Sequence, residues 1–262
     1  MKTIKILFIA VIVLVSGNLS AQERLSEIVE RGTLRVGLTG AQPPFSMKAK
    51  NDELIGYDVD LANLLATSME LTLELVEMPF GELLPSLESG NIDMVISGMT
   101  ITPARNVKTA FVGPYLISGK SILTKEKALS NATNAADINN NIKVVTLAGS
   151  TSEKFSKKHL DNVSLELVSN YDEAIQKIIN DESDVMVADY PTCAYAMLRY
   201  PNHGMVILDR PLTIEPIGIA LPNDALFINM VDNYIESLDA MGVLAVMEEK
   251  WFENPYWLLQ LK

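Results

Sequence analysis

Apolar positions along the chain follow two different periods, and the two periods alternate. Residues 71–75 alternate leucine with polar side chains, as a half-buried strand does, whereas residues 59–69 carry leucines at helical spacing. Residues 94–96 form a short, continuous apolar run of the kind found in buried parallel strands. Strands that alternate with helices in this way predict an α/β fold.

The pattern predicts two such units. It restarts after Gly119, and one more strand and two helices follow Pro216. The predicted helices cover 25–32, 59–69, 83–90, 152–159, 171–180, 225–239 and 242–251, and the predicted strands cover 34–37, 71–75, 94–96, 121–123, 142–147, 164–167, 185–187 and 217–220. The polar stretch 130–141 is predicted to be a surface loop.

This order of elements divides the chain into lobes. We expect lobe one to contain residues 22–115 and 218–262, and lobe two to contain residues 120–211. Two hinge segments, at 116–119 and 212–217, would connect them. Both ends of the mature chain would then belong to lobe one.

The N-terminus has the layout of a secretory signal peptide. Lys2 and Lys5 precede an apolar run at residues 6–15, and small residues follow at 16–21. The run is shorter than the ~20 residues that a membrane-spanning helix needs, and a buried first strand or helix is the structural alternative. We expect cleavage after Ala21, so that residues 1–21 are removed and the mature chain is exported to the periplasm.

Composition and charge narrow the classes of function. The chain has 262 residues with 21 Lys and Arg against 33 Asp and Glu, and its net charge of −12 opposes binding to nucleic acid. A single cysteine, Cys193, excludes a disulfide within the chain and a cysteine-based metal site. The two histidines, His159 and His203, lie far in sequence from any candidate nucleophile. We expect no metal, no cofactor and no catalytic residue.

Four spaced motifs carry the most specific signal in the chain. Residues 56–62 read GYDVDLA, residues 80–93 read FGELLPSLESGNID, residues 97–105 read SGMTITPAR and residues 111–115 read FVGPY. In this order and spacing they resemble family 3 of the periplasmic solute-binding proteins, the polar amino-acid receptors of ABC importers. The resemblance covers roughly residues 25–251. It implies a two-lobed periplasmic-binding-protein type II fold with two hinge crossovers.

The chemistry of capturing a free amino acid explains why an arginine matters here. The ligand needs a cation for its carboxylate and an anion for its ammonium group. Arg105 offers a planar, two-pronged donor, and Pro103 suits the first turn of a helix. An exposed arginine at a helix start is the structural alternative. The resemblance implies that Arg105 binds the α-carboxylate, assisted by the segment Ser97, Gly98 and Thr100.

The resemblance also points to two residues of the second lobe. It makes Thr151 a second carboxylate contact, while Ser150 and Glu153 alone would read as a capping box at a helix start. It matches Asp189 to the aspartate that binds the ligand ammonium. A helix N-cap before Pro191 is the structural alternative for Asp189.

Selectivity for the ligand side chain is expected from the first lobe. By resemblance Phe80 packs on the ligand, although a core aromatic is the alternative. Receptors for basic or amide side chains commonly carry an aspartate and an aromatic where this chain has Thr39 and Gln42. We therefore expect Gln42 to line the site, and a polar neutral, small or acidic amino acid to be favoured over a basic one.

These observations predict a binding protein rather than an enzyme. It would capture a free amino acid and deliver it to an ABC permease in the inner membrane, as a monomer without nucleic-acid partners. The alternative is an exported cyclohexadienyl dehydratase, which uses the same scaffold and resembles this chain throughout. Where that enzyme is expected to carry an asparagine and an acidic glutamate, this chain has Ser152 and Thr192.

Overall fold

The computed structural model describes residues 24–138 and 141–261. The predicted signal peptide and its cleavage site lie outside the described residues. Among the helices of the described residues, none combines the length and the apolar character that a membrane crossing requires.

The first lobe is built on a mixed five-stranded sheet. Its strands are β1 (Thr33–Leu38), β4 (Thr72–Glu77), β5 (Met94–Val95), β6 (Ala110–Ser118) and β12 (Glu215–Leu221), and a two-stranded hairpin of β2 (Met47–Lys48) and β3 (Leu54–Ile55) lies beside it. The five strands stand in the order β4-β1-β5-β12-β6, and β1 pairs in parallel with both β4 and β5. The hairpin was not predicted, because two residues per strand are too few to show a period.

Helices cover this sheet with the apolar faces that the sequence pattern indicates. Leu34 and Val36 of the first strand pack with Leu61 and Leu65, and all four side chains are fully buried. The helices are α1 (Arg24–Arg31), α2 (Tyr57–Ser68), α3 (Leu83–Glu88), α4 (Pro103–Asn106), α8 (Ala225–Ala240) and α9 (Val243–Glu248). The predicted helix 242–251 ends at Glu248 and continues as a wider π-helical turn, Glu249–Glu253.

The second lobe has its own five-stranded sheet. Its strands are β7 (Lys120–Thr124), β8 (Lys143–Leu147), β9 (Ser164–Val168), β10 (Val185–Asp189) and β11 (Val206–Ile207), and its helices are α5 (Thr151–His159), α6 (Tyr171–Ile179) and α7 (Tyr190–Arg199). The strands stand in the order β11-β7-β10-β8-β9. The apolar centre of the lobe includes Ile122, Val185 and Val187, all fully buried. A short 3-10 turn, Lys127–Asn131, runs into the start of the predicted loop 130–141. A second turn, Ala135–Ile138, lies within the loop and buries Ile138 against this lobe.

Two antiparallel strands lead from one lobe to the other. The end of β6 pairs with the start of β12, so that Ser118 stands opposite Glu215 and Leu116 opposite Ile217. The chain enters the second lobe after β6 and returns through β12, which gives a two-lobed fold with two crossovers. The residue limits of the lobes and hinges stay a prediction.

The C-terminal turns also reach the second lobe. The Trp257 ring stacks on the Tyr195 ring of α7 with centroids 5.9 Å apart. Trp257 Nε1 donates to the carbonyl of Trp251, and Trp251 Nε1 donates to Asp60. The lobes therefore touch through these aromatic residues as well as through the crossovers.

Candidate functional site

Arg105 lies buried in α4, which begins as the sequence predicts. Pro103 occupies the first turn, and the Thr102 hydroxyl caps the helix by accepting from the Arg105 amide at 3.3 Å. Only 7% of Arg105 is exposed, so the alternative of a surface arginine does not hold. Its Nη1 donates to the carbonyl of Thr100 at 2.7 Å, and its guanidinium carbon lies 5.6 Å from the centre of the Phe80 ring.

The charge of Arg105 is not paired directly. Burial lowers the pKa of Arg105, and the negative charges of Asp189 and Glu215 act in the opposite direction. In the part of the chain that the structure describes, no carboxylate forms an ion pair with it. Because a guanidinium has five N–H donors and a buried unpaired charge is costly, this group is suited to receive an anion.

The buried carboxylate of Asp58 anchors the segment from Ser97 to Thr100 by a hydrogen bond. The Gly98 amide donates to Asp58 Oδ2 at 2.6 Å, and the Tyr115 hydroxyl donates to Asp58 Oδ1 at 2.7 Å. Burial raises the pKa of Asp58 to about 7, and these two hydrogen bonds act against the shift. The Gly98 amide is therefore engaged within the lobe. Asp58 is a positioning residue, and in the sequence it is visible only as one residue of the GYDVDLA motif.

Ser97, Gly98 and Gln42 meet on the first-lobe side of the site. The fully buried Ser97 hydroxyl accepts from the Thr39 amide at 3.2 Å. Gly98 adopts a positive φ of 52°, and a Cβ there would lie 2.6 Å from Gln42 Nε2, so that a larger residue would be strained and would displace the Gln42 side chain. Gln42 is 2% exposed, and its Oε1 has no hydrogen-bond partner among the described residues. A buried, unsatisfied amide oxygen favours a donor on a bound ligand.

Thr151 is the residue of the second lobe that contacts Thr100 of the first lobe. It is the first residue of α5, and its hydroxyl lies 3.2 Å from the Thr100 hydroxyl of the first lobe. The capping alternative also holds, because the Ser150 hydroxyl accepts from the Glu153 amide at 3.1 Å. The Thr100–Thr151 contact joins the lobes across the cleft, so the structure is closed around this site.

Asp189 stands at the end of β10, where the first turn of α7 begins. It occupies the N-cap position, but its side chain makes no capping hydrogen bond, which argues against the structural alternative. Its Oδ1 instead accepts from Lys120 Nζ at 2.5 Å, and Glu215 Oε2 lies 3.7 Å from the same nitrogen. Lys120 is 1% exposed.

The structure thus brings most of the predicted residues to one interlobe cleft. The contacts described above link four of them: Arg105, Thr100, Phe80 and Thr151. Asp189 interacts electrostatically with Arg105, because burial lowers the pKa of the guanidinium and the negative charge of Asp189 acts against that shift. Phe80 is 6% exposed and also belongs to the core, so both of its predicted roles are compatible. Two charged residues of the cleft, Lys120 and Glu215, were not predicted from the sequence. The signal available was a lysine two positions before the apolar pair Ile122 and Leu123 of β7.

The cleft remains accessible at its rim. A cavity of about 310 Å³ opens beside Arg105 and Phe80 and is bounded on the second-lobe side by Gly149 and Lys154. A Cβ on Gly149 would lie 3.1 Å from the Cα of Gly81, which shows how closely the two rims approach. Within residues 24–138 and 141–261, no three His, Cys, Asp or Glu side chains cluster in a way that could hold a metal ion.

The structure has two lobes joined by two crossovers, and the cleft between the lobes contains buried charges of both signs. This architecture is that of a bilobal ligand-binding protein. The chain matches the bacterial extracellular solute-binding proteins, family 3, over residues 34–254, and it belongs to that family. This match confirms the resemblance that the motifs carried. The type II fold that the resemblance implied is confirmed by solved structures of similar proteins.

The relatives of this chain include an enzyme and an amino-acid-binding protein. The chain is 29% identical to the cyclohexadienyl dehydratase of Pseudomonas aeruginosa, over 92% of this chain and 90% of that protein. It is also 29% identical to the L-arginine-binding protein of the same species, over 84% of this chain and 87% of that protein. The crystal structure of an ancestral amino acid-binding protein, AncCDT-1, described as a precursor of cyclohexadienyl dehydratase, is 36% identical with a TM-score of 0.80, covering 87% of this chain and 99% of that one.

Proposed function

We propose that this protein captures a free amino acid in the periplasm and delivers it to an ABC permease. The observation that carries the proposal is the charge layout of the closed cleft. Arg105 offers an unpaired buried cation. At the other end, Asp189 and Glu215 carry two negative charges against the one positive charge of Lys120. The two ends of the cleft are therefore matched to the carboxylate and the ammonium group of one zwitterion.

The remaining contacts suit the same ligand. Thr100 and Thr151 place hydroxyl groups from both lobes beside Arg105, where a carboxylate could accept from them. Because groups from both lobes would contact one ligand, binding favours the closed arrangement over an open one. We propose that the chain acts as a monomer after removal of residues 1–21.

We also propose that a polar neutral, small or acidic amino acid is preferred over a basic one. The comparisons do not support this preference, since an arginine-binding protein is among the relatives. It rests on the cleft itself: position 39 is threonine rather than a carboxylate, and Glu215 is already paired with Lys120. A cationic side chain would then enter without a free counter-charge from these residues.

A thermal-shift screen of the mature protein tests the proposed function. Each common amino acid is added singly, with its 2-hydroxy-acid analogue as a matched control that keeps the carboxylate and lacks the ammonium group. A ligand at ~100 times its dissociation constant should stabilise the protein by ~2.7 kcal/mol, a shift of several degrees for a chain of this size. A flat response to every amino acid would count against the proposal.

The similarity to cyclohexadienyl dehydratase makes a lyase the second candidate. Eliminating water and carbon dioxide from prephenate calls for a positioned proton donor. Thr192 is fully buried at the position where we expect the enzyme to carry a glutamate, and its hydroxyl has no acidic character near neutral pH. We therefore expect no phenylpyruvate from prephenate above the spontaneous rate. Product that grows in proportion to added protein, and that disappears in Arg105→Met, would favour the lyase instead.

A further inference from the structure

Lys120 is the least exposed charged side chain of the cleft. It belongs to β7, in register with Asp189 on β10, so the two side chains leave neighbouring strands side by side. Its ammonium nitrogen contacts Asp189 Oδ1 at 2.5 Å and lies 3.7 Å from Glu215 Oε2. A lysine is rarely buried unless its charge is matched, and here two carboxylates match it.

The position of this charge is fixed by the second crossover. The Lys120 amide donates to the Thr213 hydroxyl at 2.9 Å, and that hydroxyl donates to Glu215 Oε1 at 3.1 Å. The carbonyl of Lys120 accepts from the Leu212 amide at 2.7 Å. Residues 212 and 213 of the second crossover therefore fix the backbone of Lys120 and the side chain of Glu215 beside each other, although the two residues are far apart in the chain.

The net charge of the cleft end formed by Lys120, Asp189 and Glu215 determines which ligand charge it can bind. Asp189 and Glu215 contribute two negative charges and Lys120 one positive charge, which leaves a single negative charge. An amino acid with an uncharged side chain supplies one ammonium group and balances it. Without Lys120 the same end would carry two negative charges and would favour a ligand with a second cation.

We propose that Lys120 is a specificity-determining residue, a built-in cation that excludes basic amino acids and reserves the cleft for ligands with one positive charge. The inference rests on the proposed amino-acid binding. In a closed cleft with little water, charges several ångströms apart still interact strongly. Once the ligand α-ammonium group has balanced the single negative charge, the ammonium of Lys120 therefore opposes a second cation on the ligand side chain.

The test uses citrulline and arginine, two amino acids of nearly the same shape that differ in side-chain charge. Calorimetry on the mature chain gives the ratio of their dissociation constants in wild type, Lys120→Met, Glu215→Gln and the double variant. We expect wild type to prefer citrulline, and Lys120→Met to move the ratio toward arginine by about tenfold or more. Glu215→Gln should weaken both ligands. The double variant, Lys120→Met with Glu215→Gln, keeps only the charge of Asp189 at this end of the cleft. Its net charge there is again one negative charge, so the ratio should return to within about threefold of wild type.

Lys120→Arg keeps the charge and should keep the wild-type ratio, which separates charge from packing. If Lys120→Met does not fold, the double variant and Lys120→Gln carry the same comparison. A ratio that stays unchanged when the lysine charge is removed, or a double variant that behaves like Lys120→Met, would overturn the inference. If wild type binds amino acids with no difference between citrulline and arginine, the inference fails and the proposed function stands. If wild type binds no amino acid at all, the proposed function fails first.

Discussion

Replacing Arg105 by methionine should abolish tight ligand binding and leave the fold intact. The guanidinium is buried, uses one donor on the Thr100 carbonyl at 2.7 Å, and forms no ion pair with a carboxylate in the described residues. Stranding a ligand carboxylate in a closed cleft costs ~2–5 kcal/mol. At about 1.4 kcal/mol for each factor of ten, the dissociation constant should rise between roughly 30-fold and roughly 4,000-fold.

The effect of Arg105→Met on stability should be much smaller. The variant loses one hydrogen bond and the contact with the Phe80 ring, each worth about 1 kcal/mol, but it also removes the cost of a buried unpaired charge. We expect the melting temperature without ligand to stay within a few degrees of wild type.

Calorimetry measures the affinity of Arg105→Met, and a thermal melt without ligand measures its stability. Arg210→Met removes an exposed arginine and serves as the matched control, with affinity expected to be unchanged. A folded Arg105→Met whose dissociation constant lies within about threefold of wild type would refute the reasoning and remove Arg105 from the site.

Two further predictions concern carboxylates. Asp189→Asn should weaken an amino acid much more than its 2-hydroxy-acid analogue, because only the former places a cation beside it; equal losses in calorimetry would show that Asp189 serves only to pair with Lys120. The buried Asp58 has a pKa raised to about 7, so the folded state holds this proton between about pH 4 and 7 while the unfolded state releases it. Its contribution to stability is therefore greatest below about pH 4, falls as the pH rises from about 4 to about 7, and is lost above the folded-state pKa. Asp58→Asn, which resembles the protonated form, should flatten the free energy of unfolding over this window by a few kcal/mol relative to wild type, as measured by urea unfolding, and identical pH profiles would contradict the assignment.

The sequence alone determined the local structure and the class of fold. Residues 71–75 alternate as the strand β4 does, and the helical spacing of residues 59–69 matches α2, because one buried face imposes its period on the residues that line it. The start of α4 could also be foreseen, since Thr102 and Pro103 act on the backbone beside them. By contrast, the short hairpin and the turn that ends α9 depend on what packs against them.

The arrangement of charges in the cleft was decided only by the tertiary structure. Arg105 could be read from its motif, and Asp189 from its place after a buried strand, but nothing near Lys120 or Glu215 in the chain links them. They meet because β7 pairs with β10 and the second crossover returns beside β7. Lysine and glutamate are usually exposed, so a single sequence carries no sign that these two are buried. Which charges cancel in a site depends on distances through space, and the order of residues does not contain those distances.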